Sequence, residues 1–486
     1  MHSFYNQKKR KSGVLLHVSS LPGEYSIGSL GKEAYEFCDL LSESGFKVWQ
    51  VLPLCMTDEY NSPYQSYSSF AFNPYLIDLP TLFEKGYITK DELLSARQNS
   101  PYLAEYDRLK KERIPLLKLA AKRAFEGAEK EKIEKFVKEN EELYKACLFL
   151  SKREKQDGIP WQKWKDDETD SDTLFFYEFL QYEFYTEWQA LHEYANSLGI
   201  SIVGDLPIYV SLDSADVWAH KDLFLLDSHG YPVEVSGVPP DYFSEDGQIW
   251  NNPLYNYKKM REDGFAFLLS RLSHAFKLFD GVRLDHFRGY ESYYSIPYGR
   301  ADAKVGKWNK GPGRKLIDAI RKSFPDKLII AEDLGDITDE VRSLLDYSKF
   351  PGMKVLQFAF LGDTESLHLP HNYEEGCVAY TGTHDNNTLL GYVYEMQAED
   401  RRRSFNYSGY YGNDFNEGTR ALIRTVIASH ADTVILPVQD LLLYGCDTRM
   451  NTPGVAEGNW AYRVTKEQMG YIDKEGFRRL CELYGR

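Results

Sequence analysis

Eight short apolar segments recur along the chain, and stretches with helical spacing of apolar residues separate many of them. The apolar segments cover residues 13–21, 48–54, 200–210, 281–284, 328–335, 353–360, 377–387 and 433–440. Helical spacing occurs between them at 30–44, 174–198, 265–279, 316–324 and 419–430. Alternation of strands and helices is typical of parallel βα units. Eight such strands predict an α/β fold, specifically a (β/α)8 TIM barrel.

Two segments interrupt this alternation. Residues 81–172 are rich in Lys and Glu in a helical pattern without a strand signal, so we expect a mainly helical insertion. The barrel then comprises residues 1–80, with strands 1 and 2 and an active-site loop, and residues 173–486, with strands 3 to 8. Segment 215–257 has no regular pattern but many aromatic residues. A long loop of this composition predicts a lid over the C-terminal face of the barrel.

Charge and composition argue against several classes of partner. The net charge of −15 disfavours nucleic acid, because phosphate binding depends on Lys and Arg, and the short basic cluster 8–11 is expected to be a solvated tail. No apolar run is long enough to span a bilayer, and residues 1–7 lack the apolar core of a secretory signal. Six scattered cysteines without a CxxC pair fit reduced thiols. We therefore expect a cytoplasmic protein without membrane or nucleic-acid partners.

Three carboxylates stand at or near the ends of predicted strands, namely Asp285, Glu332 and Asp385. A closed barrel brings its strand ends to one mouth, where charged residues are usually catalytic. Cleavage of a glycosidic bond needs one ionised carboxyl group as nucleophile or base and one protonated carboxyl group as acid. Arg283 shares a strand face with Asp285 and favours its ionised form. Glu332 follows the apolar run 328–331, which predicts a raised pKa suited to the acid.

Each of these features alone also has a structural interpretation. Arg283 and Asp285 are compatible with a buried ion pair that only fixes packing. Glu332 is compatible with a packing and capping role at a strand end, and His384 beside Asp385 is as typical of metal sites as of sugar sites. The three carboxylates on separate strands are together a much stronger indication of glycosidic chemistry than any one of them.

Several motifs carry a resemblance to a known family. The segments Gly-Val-Arg-Leu-Asp-His (281–286), Ile-Ala-Glu-Asp-Leu-Gly (330–335) and Thr-Gly-Thr-His-Asp-Asn (381–386) are similar to those of α-amylase-type glycosidases. More closely, the chain resembles the 4-α-glucanotransferases called amylomaltases or disproportionating enzymes. This closer resemblance spans nearly the whole chain and rests on the segments 15–22, 62–75, 204–210, 237–243, 252–257 and 449–454.

The resemblance implies a retaining enzyme that cleaves α-1,4-glucans and transfers the glucan segment to the 4-OH of glucose or a maltooligosaccharide, without a metal or cofactor. It implies Asp285 as nucleophile, Glu332 as acid and base, and Asp385 as the residue that stabilises the transition state. It also implies a set of substrate-binding residues around them: Tyr64, Asp205, Trp250, Arg283, His286, His384, Asn459 and Trp460. The sequence gives no prediction of oligomeric state.

One position departs from the family pattern, because Asn251 follows the lid residue Trp250 where the family usually has Gly. The added Cβ is expected to stiffen or redirect the lid and to affect acceptor preference.

An α-glucan hydrolase with the same carboxylates is an alternative function. A metal-dependent hydrolase using His17, His286, His384 and Asp385, or a glucan-binding protein without activity, are further alternatives.

Overall fold

The computed structural model describes residues 10–166, 168–240, 245–362, 364–455 and 457–486. Asp241, Tyr242 and Phe243 of the motif 237–243, together with Lys8 and Lys9 of the basic cluster, lie outside the described residues. Among the described helices, none combines the length and the apolarity that a bilayer crossing requires.

The described strands form two sheets. Their bounds are β1 Lys11–Leu15, β2 Val48–Gln50, β3 Ser201–Leu206, β4 Glu234–Val238, β5 Gln248–Pro253, β6 Gly281–Leu284, β7 Ser292–Pro297, β8 Lys307–Lys310, β9 Leu328–Ala331, β10 Met353–Val355, β11 Val378–Tyr380 and β12 Thr433–Pro437.

Eight of these strands run parallel in the order β10-β11-β12-β1-β2-β3-β6-β9. The two end strands approach each other as well, because the backbone N–H of Ala331 donates to the carbonyl of Pro351 at 2.8 Å, and Ala331 bridges Gly352 in parallel. The sheet therefore closes into a barrel. The (β/α)8 prediction is confirmed, and the eight strands are the eight predicted ones.

Helices cover the outside of this barrel and fill its long connections. The α-helices are α1 Lys32–Glu43, α2 Leu79–Glu84, α3 Lys90–Ser95, α4 Tyr106–Arg108, α5 Ile114–Phe125, α6 Lys130–Lys138, α7 Glu141–Lys155, α8 Ser171–Ser197, α9 Ala215–Ala219, α10 Tyr257–Met260, α11 Ala266–Leu278, α12 Arg288–Glu291, α13 Arg314–Ser323, α14 Asp339–Ser348, α15 Leu389–Glu395, α16 Ala398–Tyr407, α17 Phe415–Ala428, α18 Val438–Leu441, α19 Lys466–Met469 and α20 Lys474–Leu483.

Most of the predicted strands were too long at their carboxyl ends, whereas the predicted strand 281–284 matches β6. For example, β1 ends at Leu15 rather than at 21, and β12 ends at Pro437, where α18 begins. The segments that follow the strands are buried in the barrel mouth and are therefore apolar too, so hydrophobicity alone does not mark the strand end. Pro53 and Pro207 lie just beyond β2 and β3, as expected for a residue without a backbone N–H.

Helices α2 to α7 lie between β2 and β3, and α5, α6 and α7 pack on the long helix α8, whose N-cap Asp170 accepts a hydrogen bond from Thr173. Their apolar faces belong to the same buried cluster as the barrel, with Phe149, Phe179 and Trp188 fully buried. The division into the units 1–80, 81–172 and 173–486 stays a prediction.

The prediction of a structureless segment 215–257 is wrong. This stretch contains α9 and the strands β4 and β5, which join β7 and β8 in a four-stranded antiparallel sheet of order β5-β4-β7-β8. The sheet was missed because β5 carries two Asn and a Pro, residues that are depleted in strands. β4 and β7 are separated in sequence by more than fifty residues, so no hairpin signal marks their pairing.

Candidate active site

The three carboxylates follow barrel strands at the same end. Asp285 comes directly after β6, Glu332 directly after β9, and Asp385 five residues after the end of β11. The barrel hydrogen bonds continue past the strand ends, since the backbone N–H of Asp285 donates to Leu206 at 3.2 Å and that of Glu332 to Leu284 at 3.0 Å. Asp285 and Glu332 are therefore held side by side at the mouth.

Arg283 lies beneath the mouth and contacts three carboxyl groups. Its Nη1 donates to both oxygens of Asp205, at 2.7 and 2.9 Å, and to Oδ1 of Asp285 at 3.2 Å. Its Nη2 lies 4.0 Å from Oε2 of Glu332. Burial disfavours the charge of Arg283, but the two Asp residues outweigh burial and raise its pKa well above the usual value. The guanidinium is therefore a permanent cation between the two candidate catalytic groups.

Glu332 is largely buried and accepts hydrogen bonds from two backbone N–H groups. Its Oε2 accepts from the backbone N–H of His286 at 2.7 Å, and its Oε1 accepts from that of Leu334 at 3.0 Å. Burial raises the pKa of the Glu332 carboxyl to about 8; Arg283 opposes this rise and Asp285 adds to it. The group is thus able to carry a proton near neutral pH, which general acid catalysis requires.

Asp385 is the most exposed of the three carboxylates, with 42% of its side chain accessible. The segment after β12 fixes it, because Nδ2 of Asn451 donates to Oδ1 at 2.6 Å and Nη2 of Arg449 donates to the backbone carbonyl at 2.5 Å. Its Oδ2 lies 3.3 Å from Nε2 of His384. The contacts with Arg449 and Asn451 thus fix the orientation in which the Asp385 carboxylate faces the cleft.

Aromatic side chains form the walls of a cleft of about 260 Å³ above these groups. The Tyr64 ring stacks on His384 with centroids 5.1 Å apart, and its hydroxyl donates to Asp205 at 2.8 Å. Trp460 lies 5.8 Å from Tyr64, and Trp250 meets His286 edge to face at 4.9 Å. Aromatic faces beside carboxylates suit a ligand with apolar ring faces and many hydroxyls, such as a sugar.

Six of the predicted site residues line this one cleft: Tyr64, Trp250, Asp285, His384, Asp385 and Trp460. Glu332, Arg283 and His286 lie just below or beside it, and burial lowers the pKa of His286 to about 4, so its ring is neutral at pH 7. The Asp205 side chain is fully buried under Tyr64 and contacts Arg283 instead of the cleft.

Asn459 lies outside the lining of the cleft. Its Oδ1 accepts from the backbone of Thr452 at 2.8 Å, and its Nδ2 donates to the carbonyl of Val455 at 2.7 Å. The side chain thus braces the loop that precedes Trp460. Over the described residues, no three His, Cys, Asp or Glu side chains converge in a way that suits a metal ion.

A family model described as 4-alpha-glucanotransferase matches residues 16–468. The 4-alpha-glucanotransferase of Streptococcus pneumoniae serotype 4 is 42% identical over 499 residues, which cover 99% of this chain and 98% of that relative. The chain belongs to the 4-alpha-glucanotransferase family. The family member from Thermus thermophilus is 43% identical over 97% of this chain and 98% of its own length.

Solved structures agree with this 4-alpha-glucanotransferase assignment. The amylomaltase from Streptococcus agalactiae in complex with acarbose superposes with a TM-score of 0.95 at 37% identity, covering 98% of this chain and all of that one. The amylomaltase from Corynebacterium glutamicum, at 18% identity and a TM-score of 0.81, shares the fold.

Sequence reasoning on this 4-alpha-glucanotransferase missed several residues of the site. Arg449 and Asn451 contributed only to the resemblance, although they contact Asp385 directly. Tyr209 and Gln65 also line the cleft. The available signal was their place in the segments that follow β12, β3 and β2, since the segments after barrel strands form the mouth.

Proposed function

We propose that this 4-alpha-glucanotransferase works by double displacement, with Asp285 as the nucleophile and Glu332 as the acid and then the base. The observation that carries the proposal is the position of Arg283, which lies between the two carboxyl groups and contacts Asp285 directly. Its guanidinium donates to Asp285, while burial raises the pKa of the Glu332 carboxyl to about 8. The nucleophile and the acid proposed here therefore lie on either side of one buried cation.

In the first step, a carboxylate oxygen of Asp285 attacks C1 of the donor sugar and the bond from C1 to the glycosidic oxygen breaks. Glu332 gives its proton to that oxygen, so the leaving glucan departs with a free 4-OH. In the second step, Glu332 takes the proton from the 4-OH of an acceptor sugar. That oxygen attacks C1, and Asp285 is released as a carboxylate.

Asp385 and its neighbours are proposed to bind the reacting sugar. The carboxylate of Asp385 and the ring of His384 are placed to hydrogen-bond sugar hydroxyls, which favours a distorted ring in the transition state. Tyr64, Trp250 and Trp460 offer stacking surfaces for donor and acceptor sugars. For Asp205 we propose an indirect role, because its buried side chain holds Arg283 and the Tyr64 hydroxyl.

Transfer rather than hydrolysis follows when a sugar acceptor reaches the intermediate more effectively than water does. The substrates proposed are α-1,4-glucans and maltooligosaccharides, such as those derived from starch or glycogen.

We also propose a cytoplasmic location, because all six cysteines lie in the described residues as free thiols.

Incubation with maltotriose tests the proposed function. We expect glucose and longer maltooligosaccharides to form while the number of reducing ends stays constant, because each cleavage is followed by a transfer. A rise in reducing ends would instead support an α-glucan hydrolase. Full activity after treatment with a strong chelator would dismiss the alternative of a metal-dependent hydrolase.

A further inference from the structure

The lid strand β5 is irregular where it reaches the cleft. Val235 of β4 pairs with Pro253, but Gly237 pairs with Ile249, so β5 carries two extra residues between the paired positions. Such a bulge redirects side chains and interrupts the backbone ladder. The interrupted stretch contains Trp250, whose side chain lines the cleft.

The backbone of the bulge turns sharply after Trp250. Asn251 has a φ of +61°, in the left-handed region that favours Gly and that Asn tolerates better than most residues. The orientation of the peptide group between Trp250 and Asn251 therefore depends on contacts from outside β5. One such contact comes from the loop after β2.

Gln65 supplies this contact. Its Nε2 donates to the backbone carbonyl of Trp250 at 3.2 Å. Its Oε1 accepts from Oγ of Ser211 at 2.8 Å and from Nδ2 of Asn252 at 3.2 Å. Asn252 is itself held, because its Nδ2 donates to the carbonyl of Val210 at 3.0 Å. A single side-chain amide thus joins the loop after β2, the loop after β3 and the lid strand.

The neighbour of Gln65 in sequence is Tyr64, whose hydroxyl is fixed on Asp205. Tyr64 and Trp250 both line the cleft, so Gln65 links these two aromatic walls. The Tyr64 hydroxyl is bound to Asp205 in the barrel. The hydrogen bond from Gln65 therefore ties the backbone of Trp250 in the lid to a part of the cleft that the barrel holds in place.

We propose that Gln65 is a positioning residue that acts through Trp250 and sets how the glycosyl–Asp285 intermediate is divided between a sugar acceptor and water. This inference rests on the proposed function. If Trp250 shields the intermediate and holds the acceptor, loss of its backbone anchor admits water and loosens the acceptor. Donor cleavage in the first step uses Asp285 and Glu332 and depends less on this anchor.

The substitution Gln65→Glu tests the proposal selectively. It keeps the oxygen that accepts from Ser211 and Asn252 but replaces the Nε2 donor with an oxygen, which faces the Trp250 carbonyl. The assay uses α-maltotriosyl fluoride as donor and glucose as acceptor. Fluoride release measures the rate of the first step, and product analysis measures how the intermediate is divided between glucose and water. We expect the ratio of transfer to hydrolysis to fall about tenfold, the size of effect expected from one lost buried hydrogen bond, with fluoride release much less affected. Gln65→Met, which lacks the donor without adding charge, is expected to shift the ratio in the same direction.

Gln162→Glu is the matched control. Nε2 of Gln162 donates to the backbone carbonyl of Gly230 at 3.3 Å, away from the cleft, so the same change there should leave the ratio at the wild-type value. A double-mutant cycle separates positioning from direct contact: in a Trp250→Ala background, Gln65→Glu should produce no further change in the ratio.

Two results would overturn the proposal. One is an unchanged ratio in both Gln65 variants; the other is an equal shift with and without the Trp250 ring, since that shift would mean that Gln65 acts on the substrate itself. A wild-type enzyme that forms no transfer product would instead refute the proposed function. These outcomes are distinguishable in the same assay.

Discussion

The guanidinium of Arg283 has acidic neighbours with different surroundings. Asp205 is fully buried, whereas Asp285 has one side open to the cleft. Glu332 stands slightly farther from the cation and is buried. Among these carboxyl groups, burial raises the pKa of Glu332 to about 8, which suits the acid of the proposed double displacement.

The pKa of Glu332 leads to a prediction about pH. The group must be protonated to act as the acid, and burial raises its pKa to about 8, so the alkaline limb of the kcat/KM profile is expected above about pH 8. An ordinary glutamate, with a pKa of about 4.3, would already be ionised at pH 7. The measurement is a pH profile of kcat/KM with maltotriose.

Glu332→Gln provides the control for this assignment. The variant cannot protonate a glucan leaving group, but fluoride needs little protonation to depart. With maltotriosyl fluoride the first step should therefore retain much of its rate and lose its alkaline limb. An alkaline limb that persists in this variant would assign that titration to another group.

Asn451 leads to a second prediction at this scale. Asn451→Asp replaces the donor to Asp385 with an oxygen, so two carboxylates would face each other at the present distance of 2.6 Å. We expect kcat/KM to fall about a hundredfold, because a hydrogen bond to a charged group is lost and repulsion is added. Steady-state kinetics with maltotriose measure this change.

Asn372→Asp is the matched comparison, since the Asn372 amide donates to the carbonyls of Thr364 and Ser366 outside the cleft. Its kcat/KM should stay near the wild-type value. A similar loss in both variants would show that the Asn451 contact has no special role.

At the scale of elements, the bulge in β5 links a sequence feature to a conformation. The sequence resemblance implies Gly at position 251 in related enzymes, and Asn251 adopts the left-handed backbone that Gly favours. From the sequence we expected the Cβ of Asn251 to stiffen or redirect the lid. Asn adopts the required φ, so the substitution is compatible with the bulge.

This conformation predicts how substitutions at residue 251 behave. Asn251→Gly should leave the unfolding midpoint nearly unchanged, whereas Asn251→Val should destabilise the protein by about 1–2 kcal/mol, because a β-branched residue is strained at this φ. Thermal and urea unfolding measure both. Equal stability of the Val variant would mean that the bulge relaxes into another backbone conformation.

The elements also show what sequence can and cannot predict here. The barrel strands were found because they are buried on both faces and appear as continuous apolar runs, and Asp285 and Glu332 were found because they end such runs. The second sheet was missed because β5 carries residues that are depleted in strands and because β4 pairs with β7 across more than fifty residues. The contact of Asn451 with Asp385 spans 66 residues and exists only once the barrel closes. No local pattern records such a contact.

At the scale of the whole molecule, the pair Arg283–Asp205 ties catalysis to stability. The two residues face each other in the register of β6 on β3, inside the barrel. Tyr64 donates to Asp205, and Asp285 accepts from Arg283, so both contact this pair. The barrel interior thus contains a buried charge network, at a place where apolar side chains of similar volume would often give equal or greater stability.

Removal of the cation should therefore destabilise the fold. Arg283→Met is expected to cost about 3–5 kcal/mol near pH 7, because Asp205 is left buried without its partner. Burial already raises the pKa of Asp205 above its usual value, and the loss of Arg283 raises it further. Since a raised pKa in the folded state costs stability as pH increases, the deficit should be smallest near pH 4 and grow toward pH 7.

Urea unfolding of the Arg283→Met variant across this pH range measures the deficit. The double variant Arg283→Met with Asp205→Asn should recover part of the lost stability, because no buried charge then remains at this position. A deficit that does not change with pH would indicate lost packing rather than an uncompensated carboxylate.

The most direct test of the mechanism is to trap the intermediate on Asp285. A 5-fluoroglycosyl fluoride forms the covalent sugar–enzyme ester but slows its breakdown, and peptide mass spectrometry then locates the attached sugar. Our account predicts a single adduct on Asp285, and no adduct in an Asp285→Asn variant that retains its unfolding midpoint and has lost several orders of magnitude of activity. An adduct on Glu332 or Asp385, or undiminished turnover in the Asp285→Asn variant, would contradict it.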